Sequence, residues 1–151
     1  MGNHSLEDLA GRLQERTATD PPPNLLATNS VWNLSQTVQH CAQTIGYSVT
    51  GYPKLKPRLY RATVGALAKR VFLRSGAMRH PLGAEIDGAP PLDPGLGVTE
   101  AVARLTDAVQ QFSSHQTSHA PHPAYGSCTH QEFAALHGMH LVEHLPGLAA
   151  D

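Results

Sequence analysis

From Thr129 to Gly147 the sequence admits essentially one local structure. Thr129-His130-Gln131-Glu132 is a capping box, in which a threonine hydroxyl and a glutamate three residues on satisfy the free amides of a helix start. Pro146-Gly147 stops the helix that this box opens. Successive residues of that helix turn by about 100°, so with His137 at zero, His140 lies near about −60° and His144 near about −20°. All three imidazoles share one face. His140 and His144 are four residues apart, one turn above the other, the spacing at which two imidazoles of one helix can grip one ion. Such a pair needs a third ligand from elsewhere in the chain.

The rest of the chain is also helical in pattern. Ser5-Leu6-Glu7-Asp8 marks a helix start, and Leu6, Leu9 and Leu13 continue it to about residue 16. Pro21-Pro22-Pro23 places a loop before a second helix, which Asn33 or Ser35 caps and which Gly51 and Pro53 end near Val49. A third helical piece is expected from Arg58 to about Leu73, with Leu59, Val64, Leu67, Val71 and Phe72 available for burial. Gly76 to Gly97 holds five glycines and four prolines in 22 residues, a long irregular connection of the kind that often carries a site. Val98 to Phe112 returns to helical spacing, and Ser113 to Cys128 is again loop. No segment alternates as a strand does. The expectation is an all-α chain of one domain over residues 1–151, with four helices of bundle length and an extra helix in a long connection.

Composition narrows the function classes. The formal net charge is −1, which argues against a nucleic-acid partner, and no apolar run reaches the length needed to span a bilayer, so no membrane partner is expected. Residues 1–12 hold no apolar run that would read as a signal peptide, and the cytoplasm is the expected compartment. Charge is unevenly placed: eight of the 11 lysines and arginines lie between Lys54 and Arg79, and no acid lies between Asp20 and Glu85. That segment is either an anion-binding surface or a solvated face. Ten residues are histidine, seven of them between His115 and His144. Neutral imidazole is a good ligand for Zn²⁺ or Ni²⁺, so a divalent ion is the expected cofactor.

His40, in the middle of the second helix, is the best third ligand, because a helix interior holds a side chain rigidly. Its neighbours on the same face are Gln36, Thr37, Gln43, Thr44 and Tyr47, whereas the apolar stripe runs through Leu34, Val38, Cys41, Ala42, Ile45 and Val49. Periodicity therefore puts His40 on the polar side, and a wet pocket lined by Thr44 and Tyr47 would reconcile this with ligation. His80 and the loop histidines His115, His119, His122 and His130 are less well fixed. His137 reads as a neighbour of the site, Glu143 as a surface residue, Cys41 as a core thiol. Cys128, before the last helix, has no recognisable base beside it.

His40 in an early helix, the loop His122-Pro123-Ala124-Tyr125-Gly126, and the final helix from His137 through His140 to His144-Leu145 together resemble the DinB-like superfamily. They are more closely similar to a branch known mainly as a domain of unknown function, with a His-Pro-x-Phe/Tyr-Gly loop and a His-Leu-x-x-His helix. The likeness runs from Leu6 to Leu148. It implies an up-down-down-up four-helix bundle with a long crossover and a metal held by three histidines, which fall here on His40, His140 and His144. Two features depart from the branch. Glu143 stands where a second histidine often precedes the last one, and Pro146-Gly147 replaces the usual Arg-Gln-Phe-Gly ending.

Members of known activity in that superfamily are similar to thiol-dependent transferases and isomerases. The resemblance thus implies a metal-dependent enzyme acting on a small molecule, with a low-molecular-weight thiol as its substrate. Lys69, Arg70 or Arg74 would hold the carboxylates of an anionic cosubstrate. A non-enzymatic metal-binding or sensing module is the alternative, and a plain structural bundle with incidental histidines the third. Pairing of two copies through bundle helices is a reasonable expectation for so small a chain.

Overall fold

The computed structural model describes residues 4–150, and among them it is helical, with no strand. The helices are α1 (Leu6–Thr17), α2 (Leu34–Thr50), α3 (Arg58–Tyr60), α4 (Ala66–Ser75), α5 (Val98–Ser114) and α6 (His130–His144). A π-helical stretch, Arg61–Gly65, joins α3 to α4 in one continuous rod, and a 3₁₀ turn, Pro146–Leu148, follows α6. None of these helices is long and apolar enough to cross a membrane.

Three capping boxes start three of the helices. Ser5 and Asp8 bond reciprocally at α1, Asn33 and Gln36 at α2, and Thr129 and Glu132 at α6. Gly76, at φ 70°, ends α4 in the left-handed conformation that a glycine adopts without strain. Four helices, α1, α2, α5 and α6, share one core, with Leu13, Val38, Leu105, Phe133 and Leu145 fully excluded from solvent. The most extensive helix pairing is α2 against α5. Burial of this apolar surface is the main stabilising term.

The irregular connection from Gly76 to Gly97 is held to α2 by glutamine amides. Gln39 both accepts from the Asp93 amide (2.9 Å) and donates to the Asp93 carbonyl (2.8 Å), and Gln43 donates to the Pro90 carbonyl (3.0 Å). These contacts satisfy the backbone polar groups of the 90–93 stretch where the loop lies over the helix.

The rod from Arg58 to Ser75 differs from expectation in its packing. Leu59, Val64, Leu67 and Val71 were open to burial by pattern, yet all four are exposed, and only Phe72 is partly covered. The rod instead turns its small residues inward. Gly65 is buried, and an added Cβ there would stand 1.7 Å from the Ala124 carbonyl oxygen. Only glycine lets the 122–126 loop approach so closely. Gly65→Ala is expected to destabilise the fold by about 1–3 kcal/mol through this overlap; a lowered urea midpoint with an unchanged slope would register it.

Candidate metal centre

Four histidines from three parts of the chain meet. His40 comes from α2, His140 and His144 from α6, and His80 from the Gly/Pro-rich connection; one ring nitrogen of each lies within 4.8 Å of all the others. Nε2 of His40 is 3.2 Å from Nε2 of His140, and Nε2 of His144 is 3.2 Å from Nε2 of His80. Four nitrogens each about 2.05 Å from a tetrahedral ion would be separated by about 3.3 Å. The two close pairs match that edge, so these four residues could hold a metal ion. The triad His40, His140 and His144 is thus brought together as the pattern and the resemblance implied, and His80 joins it.

His80 is the ligand candidate that sequence reasoning ranked too low, and Glu143 is the reason. The Glu143 carboxylate accepts from the His80 ring at Nδ1 (2.6 Å) and from the His80 amide (2.8 Å). A proton held at Nδ1 leaves the Nε2 lone pair free to face the other three rings. Glu143 is therefore no surface residue: it fixes the tautomer and direction of His80. Glu143→Ala is expected to weaken metal affinity by about 10–100-fold, measured by competition with a chelator of known affinity.

Trp32, on the loop before α2, closes one side. Its ring is 4.9 Å from that of His40 and 6.0 Å from that of His144, nearly parallel to the latter. A Cβ added at Gly83 would stand 2.8 Å from Val31 Cγ2, so the loop that carries Trp32 passes close to the segment that follows His80. Nδ1 of His40 and of His144 are buried without a hydrogen-bond partner. His144 is fully buried and His40 is 3% exposed.

Burial sets the protonation of the cluster. Loss of solvent pushes His40 down to about 3 and His144 down to about 4, with the charge of neighbouring histidines adding to the effect. His140 falls well below the ordinary imidazole range for the same reasons. Neutral imidazoles are the form that binds a cation.

On its other side the cluster floors a cavity of about 650 Å³. His40, His80 and His140 line it, with Thr44, Tyr52 and Met78. Tyr47, expected at the pocket, is not among its walls; Tyr52 takes that place, donating to the Thr44 carbonyl at 2.8 Å. The charged residues on the wall are Lys54 and Lys56 with Glu85 and Asp87, two of each sign. Lys69, Arg70 and Arg74, expected to hold an anion, do not line it. Lys69 is committed to Glu132 (3.0 Å) and the Ser127 carbonyl (2.9 Å), while Arg70 and Arg74 face solvent.

The other histidines have structural work. His137 donates from Nε2 to the Ser48 hydroxyl (3.0 Å), which itself donates to the Ile45 carbonyl. With its Nε2 proton so engaged, His137 stands apart from the four. His122 Nδ1 accepts from the amides of Ala124 and Tyr125, both at 3.1 Å, and its ring stacks on Tyr125 at 4.1 Å. It shapes the loop, whose reversal Gly126 completes at φ 75°. Cys41 is a core thiol, as expected, and burial drives its pKa upward. Gly147, where the usual ending is missing, packs so tightly on the Leu25 backbone that a Cβ would lie 2.6 Å from its Cα.

Residues 22–150 match the model of a family described as Protein of unknown function (DUF1569). That span is most of the 151-residue chain, and the chain belongs to this family. No curated protein and no solved structure matches it.

Proposed function

We propose that this member of the DUF1569 family is a metal-dependent enzyme of thiol-transfer type, built as a DinB-like four-helix bundle. The observation that carries the reading is the convergence of four imidazole nitrogens at the floor of a 650 Å³ cavity. In this reading α1, α2, α5 and α6 are the bundle helices, running up-down-down-up, and the rod from Arg58 to Ser75 rides in the crossover. His40, His140 and His144 would hold a Zn²⁺ or Ni²⁺ ion from rigid helices, and His80, carried on a loop, would be the ligand that gives way to an incoming thiol. A divalent ion in such a site supplies a Lewis acid that lowers the pKa of a thiol or water placed on it. Glu143 holds His80 in the tautomer that leaves its Nε2 lone pair free. Trp32 keeps solvent off one side, and the open side offers charges of both signs, Lys54 and Lys56 with Glu85 and Asp87, to a polar small molecule.

A second reading, a metal-binding or sensing module without turnover, is favoured by one specific feature. His80 completes a set of four nitrogens, and a closed tetrahedral site of four protein ligands is the structural rather than the catalytic pattern. Cobalt(II) substitution separates the two. An enzyme of thiol-transfer type should show a new thiolate-to-metal charge-transfer band when a low-molecular-weight thiol is added. A cobalt spectrum that stays tetrahedral and indifferent to thiol would replace this reading with the second.

A further inference from the structure

The rod from Arg58 to Ser75 carries an apolar face that nothing in the fold covers. Leu59, Val64, Leu67 and Val71 are 76%, 57%, 63% and 53% exposed. On an α-helix Val64, Leu67 and Val71 fall within an arc of about 60°. Leu59 would lie about 140° from Val64 on a continuous α-helix; the wider π-helical turn between them brings the two closer to one face. Exposed aliphatic residues that line up along one helix mark an interaction surface, whereas scattered ones do not.

The unpaired charge on the rod itself is of one sign. Arg58, Arg70 and Arg74 are exposed on the same rod, and among the described residues none of them makes an ion pair. Lys54 and Lys56 precede the rod and Arg79 follows it, all exposed. The nearest acids along the chain are Asp20 and Glu85, with 64 residues between them; Glu85 and Asp87 share the cavity wall with Lys54 and Lys56, so the net positive charge is that of the rod's own arginines. Glu132, which comes close in space, is already taken by Lys69. A second copy of the chain is a poor fit to this surface: packed rod against rod about a two-fold axis, the arginines of both copies would meet with no acid between them. A partner that offers dispersed negative charge above an apolar layer is a good fit.

We infer that the outer face of the Arg58–Ser75 rod docks on an anionic lipid surface, with Leu59, Val64, Leu67 and Val71 entering the headgroup–acyl boundary and the flanking arginines and lysines meeting lipid phosphates. Spanning a bilayer by a helix requires a long apolar one, and none occurs among the described residues. Lying on one requires only a basic helix with an apolar face. The face is continuous with the mouth of the cavity, since Lys54, Leu55, Lys56 and Pro57 line that mouth and lead directly into the rod. A docked molecule would therefore present its cavity close to the lipid surface.

Co-sedimentation of the full chain with vesicles tests this. Binding to vesicles of phosphatidylcholine with about 30% phosphatidylglycerol is expected to exceed binding to phosphatidylcholine alone at least tenfold, and to weaken severalfold between 50 and 500 mM salt. Leu67→Gln with Val71→Gln, which keeps the charge and removes the apolar contact, should abolish it; both positions are exposed, so circular dichroism and metal content should remain as in the unmodified chain. No binding to anionic vesicles at low salt overturns the proposal. Binding that survives the double substitution also overturns it, since that would be adsorption by charge alone. A dimer in sedimentation equilibrium that the double substitution dissociates, with no vesicle binding, assigns the face to a second copy instead.

Discussion

His144→Ala is expected to reduce bound metal from about one ion per chain to less than a tenth, and with it any metal-dependent turnover. His144 is fully buried, one turn beyond His140 on α6, and its ring lies 5.0 Å from those of both His40 and His80 and 4.7 Å from that of His140. Its removal leaves three imidazoles, one of them carried by a loop, around a site too large for the ion. The loss should also be visible in stability. An ion that binds only the folded chain at about 100 times its dissociation constant adds about 2.7 kcal/mol. For a domain of this length that is about 5–10 °C in Tm. The unmodified chain should gain this increment when Zn²⁺ replaces chelator, and His144→Ala should not. Because truncating a buried side chain also leaves a cavity, the absolute Tm of the variant will be lower; the metal-dependent difference is the quantity that decides. A variant that retains a full ion, by elemental analysis of protein without an affinity tag, would remove His144 from the ligand set.

The contrast between His144 and His80 shows what was legible in the sequence. His140 and His144 stand on a helix whose start and stop are both written in local residues, so their shared face follows from spacing alone. His40 was visible as a candidate but not as a buried one, because its helix face is rich in threonine and glutamine. Those side chains go inside by bonding at close range. Thr37 donates to the Asn33 carbonyl and Thr44 to the His40 carbonyl, each four residues back along α2. Gln39 is satisfied by the Asp93 backbone. A polar face can thus be a buried face when its donors are used up locally, and a count of apolar positions does not register that.

His80 was harder still. Its placement depends on a carboxylate 63 residues away, and no local pattern ties an irregular segment to a residue of the last helix. The rod from Arg58 to Ser75 failed in the opposite sense. Its apolar residues have the spacing of a core-facing stripe, but the close approach that its inward face makes is carried by Gly65 against Ala124. Periodicity identifies an apolar face without saying what, if anything, lies against it.

Acid should unfold this protein early, and histidines outside the metal centre suffice to cause it. Burial pushes His137 and His122 each down to about 3 from an ordinary value of 6.5. Neighbouring histidine charge acts in the same direction on His137, and Lys69 on His122. The folded state binds fewer protons than the unfolded state between those limits, so stability is full above about pH 6.5 and falls as pH drops toward 3. Each group contributes a slope of about 1.4 kcal/mol per pH unit within that window. Together they remove about 5 kcal/mol by pH 4.5, comparable to the whole stability of many domains, which is about 5–15 kcal/mol. In chelator the four clustered histidines add to this, since His40, His140 and His144 are lowered as well. Urea midpoints measured in chelator from pH 7 to pH 4.5 should decline steeply. His137→Phe removes one titrating group while keeping a flat ring against Phe133, and Ser48 retains its bond to the Ile45 carbonyl. That variant should lose about 1.4 kcal/mol per pH unit of the slope. An unchanged slope would mean that His137 takes up its proton in the folded state as readily as in the unfolded one.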